Sequence, residues 1–543
     1  MVALVGRSLG AALVVGLLVA CSGDGKETTS ADADTDVDVD ADADADADAD
    51  VDTDTDTDTD TAVVVELLTG PTLSPAALAP STQHLELTTA EPTTLLVSLD
   101  DGERQWTLLF DEASTTHDVP LVGARAERTV DVSVTITGSE GSVEVDAGSY
   151  TTPALPFELS LIEATVSDPA RMEPGYTLMS VASWLVLIDE GAEVVWYAEA
   201  RGSVHELLPS GVGGEGTWRY LSNRTHIREV DPFGEVVAGW QSSEAGDPLL
   251  IQLDALALHH DVQAMPDGSF ITLSVERRWL PYPTSEINPG APLADAWVAG
   301  DILVQVDRSG AILGEWPLLD LLDPTRIAYD GVVGNHWEDF PLWLGDDVKD
   351  WTHGNAVDYD EVNDRFVVGL RHQDAVVAIE RSTGEVAWIL APPANWSAPT
   401  TDVLLAPDPS TQLLPYHMHG AKFTAPDRVI VFDNGNRRAS AYETVTSPYE
   451  VFSRVVEYQI DETGRTFRDD WSYGLDEELF SGSLGDADVL PATDNVLITW
   501  GNIKADPRGG CRIQEVTRSG ETVFDVWMPG TQFRSERVPS LIP

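Results

Sequence analysis

The chain has 543 residues, 43% of them hydrophobic, and 92 acidic side chains against 31 basic ones, for a formal net charge of −61. That length has room for two domains with sizeable cores. The charge excludes general nucleic-acid binding, which needs a basic surface, and an anionic substrate would have to be drawn in by a local cluster of positive groups.

The N-terminus predicts export. Arg7, the apolar run Leu9 to Ala20 and the closing Leu18-Val19-Ala20-Cys21 predict a signal peptide over 1–21, too short to span a bilayer comfortably. The last four residues resemble a bacterial lipobox. That resemblance implies lipidation of Cys21, with Ser22 directing the mature protein to the outer membrane, facing the periplasm or the cell surface. Residues 22–61 predict an acidic tether. Between 31 and 60, Asp alternates with Ala, Val or Thr, giving 15 Asp and no base, so the segment repels itself and cannot form a core. Without it, 77 acidic residues still face 31 basic ones. With Cys21 lipidated, Cys511 stands alone and no intramolecular disulfide is expected.

From residue 62 to about 160, seven short β-like runs alternate with Gly, Pro, Asp and Ser, most of them about ten residues apart. Such spacing predicts a small N-terminal β-sandwich. Residues 161–543 repeat one phrase, a turn Gly followed by an apolar stretch and a closing Trp. It ends at Trp196, Trp240, Trp316, Trp388, Trp471 and Trp527, 44 to 83 residues apart. Six copies predict an all-β, six-bladed β-propeller in which the Trp residues anchor blade against blade. Two long insertions, at 280–298 and 391–409, have lengths that usually serve a site.

A second phrase opens three consecutive blades: HDVQAMPDGSFITL at His260, HGNAVDYDEVNDRFVVGL at His353 and HGAKFTAPDRVIVFDNG at His419. Each is a His, an alternating strand, a polar turn and a returning strand. Equivalent positions at the start of inner strands converge at one face of the propeller axis. A hairpin turn centred on Val362 places Arg371 opposite His353, and one near Pro426-Asp427 places Asn434 opposite His419. No carboxylate falls at the same repeat position, and a dication would be repelled by the Arg, so no metal site is expected. Arg371 with imidazoles suits a tetrahedral oxyanion, with one neutral His free to attack the central atom.

The phrases HHDVQAMPDG, DWTHGNAVDYDEVNDRFVVGLRHQDAVVAI and HGAKFTAPDRVIVFDNG resemble the bacterial arylsulfate sulfotransferases, over roughly residues 62 to 543. The resemblance implies a β-sandwich before a six-bladed propeller, and transfer of a sulfo group from a phenolic sulfate ester to another phenol without a nucleotide donor or any cofactor. It implies a sulfated histidine, and the spacing to Phe432-Asp-Asn-Gly435 assigns that role to His419 and not His417. It further implies His260, His353 and Arg371 as catalytic groups; Asn434, His417 and His259 are expected to bind substrate. Two departures stand out: Met418-His419-Gly420 replaces the family's Gln-His-Asp, and the family's propeller disulfide cannot form. The expected partners are an aryl sulfate, a phenolic acceptor, the membrane through Cys21 and, in a homodimer, a second copy. Because His419 must be neutral to attack, an unperturbed imidazole predicts activity falling below about pH 6.

Two other readings follow from the same residues. Glu380 to Trp388 is similar to the tryptophan repeats of quinoprotein dehydrogenases, although those usually have eight blades. A non-catalytic, lipid-tethered propeller would use the same basic mouth to bind a sulfated ligand or a protein partner.

Overall fold

The structure, a computed structural model, describes Ala12–Leu13 and residues 65–543 apart from 333–335, 339, 341–342, 344–345, 412, 448–449, 476–478, 505–508 and 543. The expected lipidation site Cys21 and the acidic tether lie outside the described residues, as does nearly all of the expected signal peptide. No helix among the described residues is long and apolar enough to cross a membrane.

The N-terminal strands are fewer and longer than the seven short runs predict. Leu85 to Thr88 and Thr94 to Leu99 belong to one strand, Gln83–Asp100, and its partner Gln105–Leu121 likewise joins two predicted runs. Along Gln83–Asp100 the odd-numbered residues face inward on both sides of the polar stretch Ala90-Glu91-Pro92, where the register shifts. A bulge there bends the strand without reversing it. The first half pairs with Leu67–Pro75 and the second with Thr129–Thr137, itself paired with Ser142–Thr151. The sheet thus folds over a core of Leu85, Leu95, Val97, Val132 and Val134. That core runs on into Trp196 and Trp218 of the following sheets. Arg125 clasps Asp189 across the junction at 2.7 Å, and His84 stacks on Phe233 at 4.0 Å.

Beyond residue 160, six sheets of four antiparallel strands follow one another among the described residues, some with an extra edge strand. Their innermost strands are Ser535–Val538, Val204–Pro209, His259–Ala264, Gly354–Asp360, His419–Ala425 and Asp486–Val489. Both ends of the domain close the ring. Ser535–Val538 pairs with Tyr176–Val181 as the inner strand of the first blade, and Glu163–Ser167 pairs with Thr522–Met528 outside the last. This is the propeller architecture, which removes free sheet edges by closure.

All six phrase-ending Trp residues lie on the fourth strand of their blade. Three of them donate an indole N–H to the next blade's outer turn: Trp196 to Pro232 O, Trp240 to Arg308 O and Trp471 to Arg518 O. A buried ring with one satisfied donor is a strong inter-blade anchor. The insertion around 280–298 differs from expectation. It forms no irregular loop but the tip of a hairpin, in register from Phe270 opposite Val306 to Pro283 opposite Leu293.

The inner strands bury a charge network around the axis. Arg534 reaches Glu206 at 2.6 Å and Asp261 at 2.8 Å, while the Lys422 ammonium sits 2.7 Å from Asp486, 2.5 Å from Asp488 and 3.5 Å from Glu536. Lys422→Met removes an ammonium from one buried and two half-buried carboxylates. We expect a loss of about 3–5 kcal/mol at pH 7.5, read as a lower urea midpoint. Burial holds Asp488 and Glu536 above the usual carboxylate range, so both take up protons readily as the pH falls. The deficit should therefore shrink towards pH 5. An unchanged midpoint at pH 7.5 would show that Lys422 carries no structural charge role.

Candidate active site

The starts of the six inner strands, and the turns before them, surround one cavity of about 700 Å³ at the end of the axis. In ring order they deliver Phe533, His205, His260, His353, His419 and Leu484. Arg371 and His336 enter from loops outside that series, and Leu161, Val181 and Val204 add apolar surface. Four of the sequence-predicted residues, His260, His353, Arg371 and His419, therefore line one cavity.

The expected register holds at the open end of the fourth blade. Gly354 pairs with Leu370, and the Arg371 N–H donates to His353 O at 3.2 Å. A one-residue shift at Asn355 leaves His353 just outside the strand, with a φ of 46°. His260 sits at the corresponding shift in the third blade, with a φ of 60°. Both are L-residues in the left-handed region, a conformation that costs energy and is kept where a side chain must be aimed. In the fifth blade the left-handed residue is Gly420, with a φ of 60°. A Cβ there would come within 2.4 Å of Asp486 Oδ1, so any larger side chain at this position would collide with Asp486.

His419 pairs in register with Phe432, not with Asn434 as the turn position predicts, because the ladder shifts by one residue between Phe423 and Ala425 and by another between His419 and Lys422. Asn434 reaches it by side chain instead. The Asn434 amide nitrogen donates to Ser481 O at 2.7 Å and to Leu484 O at 2.8 Å, which leaves its oxygen facing His419 Nδ1 at 2.6 Å. An oxygen can only accept, so Nδ1 carries the proton and Nε2 keeps its lone pair. The Leu484 N–H meets that Nε2 at a long 3.3 Å. Burial first, and then the Arg371 charge, push the His419 pKa down to about 3.

Arg371 is half-buried, and its Nη1 donates to His372 Nε2 at 2.6 Å. His372 in turn donates through Nδ1 to Asp350 O at 2.7 Å. No carboxylate among the described residues lies within 4.0 Å of the Arg371 guanidinium. Its charge is left for a ligand. His353 donates through Nδ1 to Asp350 Oδ2 at 2.5 Å, yet burial and the neighbouring His372 and Arg371 hold its pKa well below the ordinary value. His260 is likewise held down by burial and by the imidazoles around it.

Three expected substrate contacts need correction. Asn434, His417 and His259 are fully buried and do not line the cavity. His417 is held by Asp374 at 3.2 Å and Asp330 at 3.4 Å, which outweigh burial and raise its pKa. His259 packs behind His260, between Ser274 O at 3.2 Å and Asp301 at 3.4 Å. Asp350, His336, His205 and Phe533 escape the sequence reading. His205 had a signal, since HELLPSGVGGEGTWRYL is the same His, strand, turn and strand phrase at the start of the second blade. His336 and Asp350 sit in a long insertion without repeat character. Neither 280–298 nor 391–409 contributes to the cavity.

A closed propeller with imidazoles and an unpaired guanidinium around its axial cavity defines a protein equipped to hold an oxyanion beside a nitrogen nucleophile. The chain belongs to the arylsulfotransferase (ASST) family, whose model matches residues 163–533. It is 30% identical over 212 residues to arylsulfate sulfotransferase AssT of Escherichia coli O6:H1 strain CFT073, and 30% identical over 211 residues to that of Lelliottia amnigena. Each match covers 32% of this chain and 34% of the relative, so the chain spans about a third of the length of the curated relatives it matches. Among solved structures, it is similar to the Cps50 (Swd1) β-propeller domain of Myceliophteria thermophila at 10% identity and a TM-score of 0.31, covering 68% of this chain and 89% of that one.

Proposed function

We propose that the protein is an arylsulfate sulfotransferase that moves a sulfo group from a phenolic sulfate ester to a phenolic acceptor through a sulfohistidine at His419. The observation that carries this reading is the tautomer. Asn434 spends both amide protons on carbonyls, so His419 keeps its lone pair on Nε2, in the cavity that contains Arg371, where attack on sulfur gives up only the long contact from the Leu484 N–H. In the first half-reaction, Nε2 attacks sulfur as the bond from sulfur to the aryl oxygen breaks and the phenol departs. In the second, the acceptor phenol loses its proton, its oxygen attacks sulfur, and the S–N bond breaks to regenerate His419. Sulfuryl transfer is loose, with charge on the equatorial oxygens, so the Arg371 fork and the imidazoles supply most of the stabilisation. His353 is the proton carrier. It takes up a proton on Nε2 when the aryl sulfate binds and gives it to the leaving phenolate, and in the second half-reaction it accepts the acceptor phenol's proton on the same nitrogen, while Nδ1 stays on Asp350 throughout. Phe533, Val204 and Leu484 offer the apolar surface an aryl ring needs. The relatives' name, arylsulfate sulfotransferase, supports the same substrates. Residues 1–21 and Cys21 support export and lipid anchoring at the outer membrane.

The deciding experiment incubates the fragment from residue 62 with an aryl sulfate of a coloured phenol, with and without a second phenol, and takes an intact mass. We expect acceptor-dependent colour release and a sulfo adduct on the His419 peptide. No release and no adduct across several aryl sulfates would favour the non-catalytic binding propeller.

The pH profile should differ from the one an unperturbed imidazole predicts. With its pKa near 3, His419 remains a neutral nucleophile throughout the accessible range. His260 and His353 rest neutral as well, so an incoming sulfate must recruit a proton to them. Binding then favours low pH. We expect kcat/KM for the donor to rise as pH falls from 8 towards 5. A decline with a midpoint near 6.5 on the acid side would contradict it.

A further inference from the structure

The hydrogen bonds behind the cavity determine which ring nitrogens are free. His259 Nε2 faces the Ser274 carbonyl at 3.2 Å and so carries the proton. Its Nδ1 therefore accepts from His260 Nδ1 at 2.7 Å, which leaves a lone pair on His260 Nε2. His353 donates Nδ1–H to Asp350, which leaves a lone pair on its own Nε2. The Nε2 of His336 is buried and has no hydrogen-bonding partner among the described residues. One nitrogen from each of these three residues lies within 4.8 Å of the other two. Adjacent ring centroids are 4.8 to 5.1 Å apart. Converging lone pairs repel unless a cation stands between them. A proton can serve two nitrogens, and a metal ion serves all three.

We propose that His260, His336 and His353 form a three-imidazole site for a divalent transition metal of the zinc class, with its fourth position open to the cavity. Imidazole donors favour zinc, copper or nickel over calcium or magnesium. Two of the ligands are already oriented from behind, His353 by Asp350 and His260 by His259. The Asp350 carboxylate also offsets the repulsion between such an ion and Arg371. Two other clusters have suitable spacing but are spent. His372 donates through one nitrogen and accepts from Arg371 on the other. Asp486, Asp488 and Glu536 already enclose the Lys422 ammonium.

The ion and a sulfate ester compete for the imidazoles of His260 and His353, so the metal-bound protein is a donor-excluded state. The metal site itself does not depend on the sulfotransferase reading. The test titrates chelator-treated full chain with Co2+, followed by visible absorption, and with Zn2+ by calorimetry, in wild type, His336→Ala, His336→Gln and His419→Ala. We expect one ion per chain with the strong absorption of tetrahedral Co2+. Affinity should fall at least tenfold in both His336 variants and hold in His419→Ala. In turnover, Zn2+ should raise the donor KM of wild type, and His336→Gln should be relieved of that inhibition. Equal affinity in wild type and the folded His336 variants, or a preference for Ca2+, would overturn the proposal. Absent turnover with an intact Co2+ spectrum would count against the sulfotransferase reading alone.

Discussion

His419→Ala is expected to abolish sulfotransfer, with a loss of about 10⁴-fold or more in kcat, the scale seen when a covalent nucleophile is removed. The sulfo adduct should vanish from the intact mass in the same variant. His353 and His260 also keep a lone pair on Nε2, being held through Nδ1 by Asp350 and His259, but in this reading those nitrogens serve the sulfate oxygens and the phenolic proton. The fold should survive. Truncation leaves the Asn434 oxygen and the Leu484 N–H without partners, a cost of about 1–3 kcal/mol each if no water enters. Asn434 itself keeps its bonds to Ser481 and Leu484. Circular dichroism and the urea midpoint would separate this local cost from unfolding. Turnover retained in a folded His419→Ala protein would eliminate the covalent route.

Arg371→Ala should lower kcat/KM for the donor by about 10³-fold, because one charge-assisted clamp on transferring oxygens is worth several kcal/mol in a dry site. Arg371→Lys should recover little of this, since an ammonium lacks the planar fork that binds two oxygens at once. A second readout tests the electrostatics. The Arg371 charge is among the causes that hold the His419 pKa near 3, second only to burial. Removing it should move the acid limb of kcat upward, towards the ordinary imidazole range, while wild type stays flat. An Arg371→Ala enzyme with a reduced rate and an unmoved acid limb would place the guanidinium farther from His419 than this account requires.

Much of this site was readable before any fold was in hand, because a propeller turns sequence repetition into rotational equivalence. His260, His353 and His419 open three copies of one phrase, and equivalent inner-strand starts must meet at the axis. Arg371 followed from counting back across a hairpin whose turn was visible in the sequence. Asn434 was found for a reason that only half held. The ladder slips twice, by one residue each time, and a side chain, not the backbone register, brings the two together. The same kind of slip places His260 and His353 in left-handed backbone. Periodicity cannot show this, since a bulge leaves the strand pattern on either side intact.

By itself, then, the amino-acid sequence determined the repeat, the inter-blade Trp anchors and the four side chains that converge on the cavity. All of these depend on local alternation and on turns that one stretch of chain specifies. Only the tertiary structure decided protonation and partnership. Asp350 was invisible as a partner of His353 because it sits three residues before it, outside the repeated phrase. His336 enters from an insertion with no periodicity to place it. The His419 pKa depends on burial by six converging strands and on a guanidinium 48 residues away in the chain. Charge–charge coupling acts through space, and a sequence records only which groups are present, not how little water remains between them.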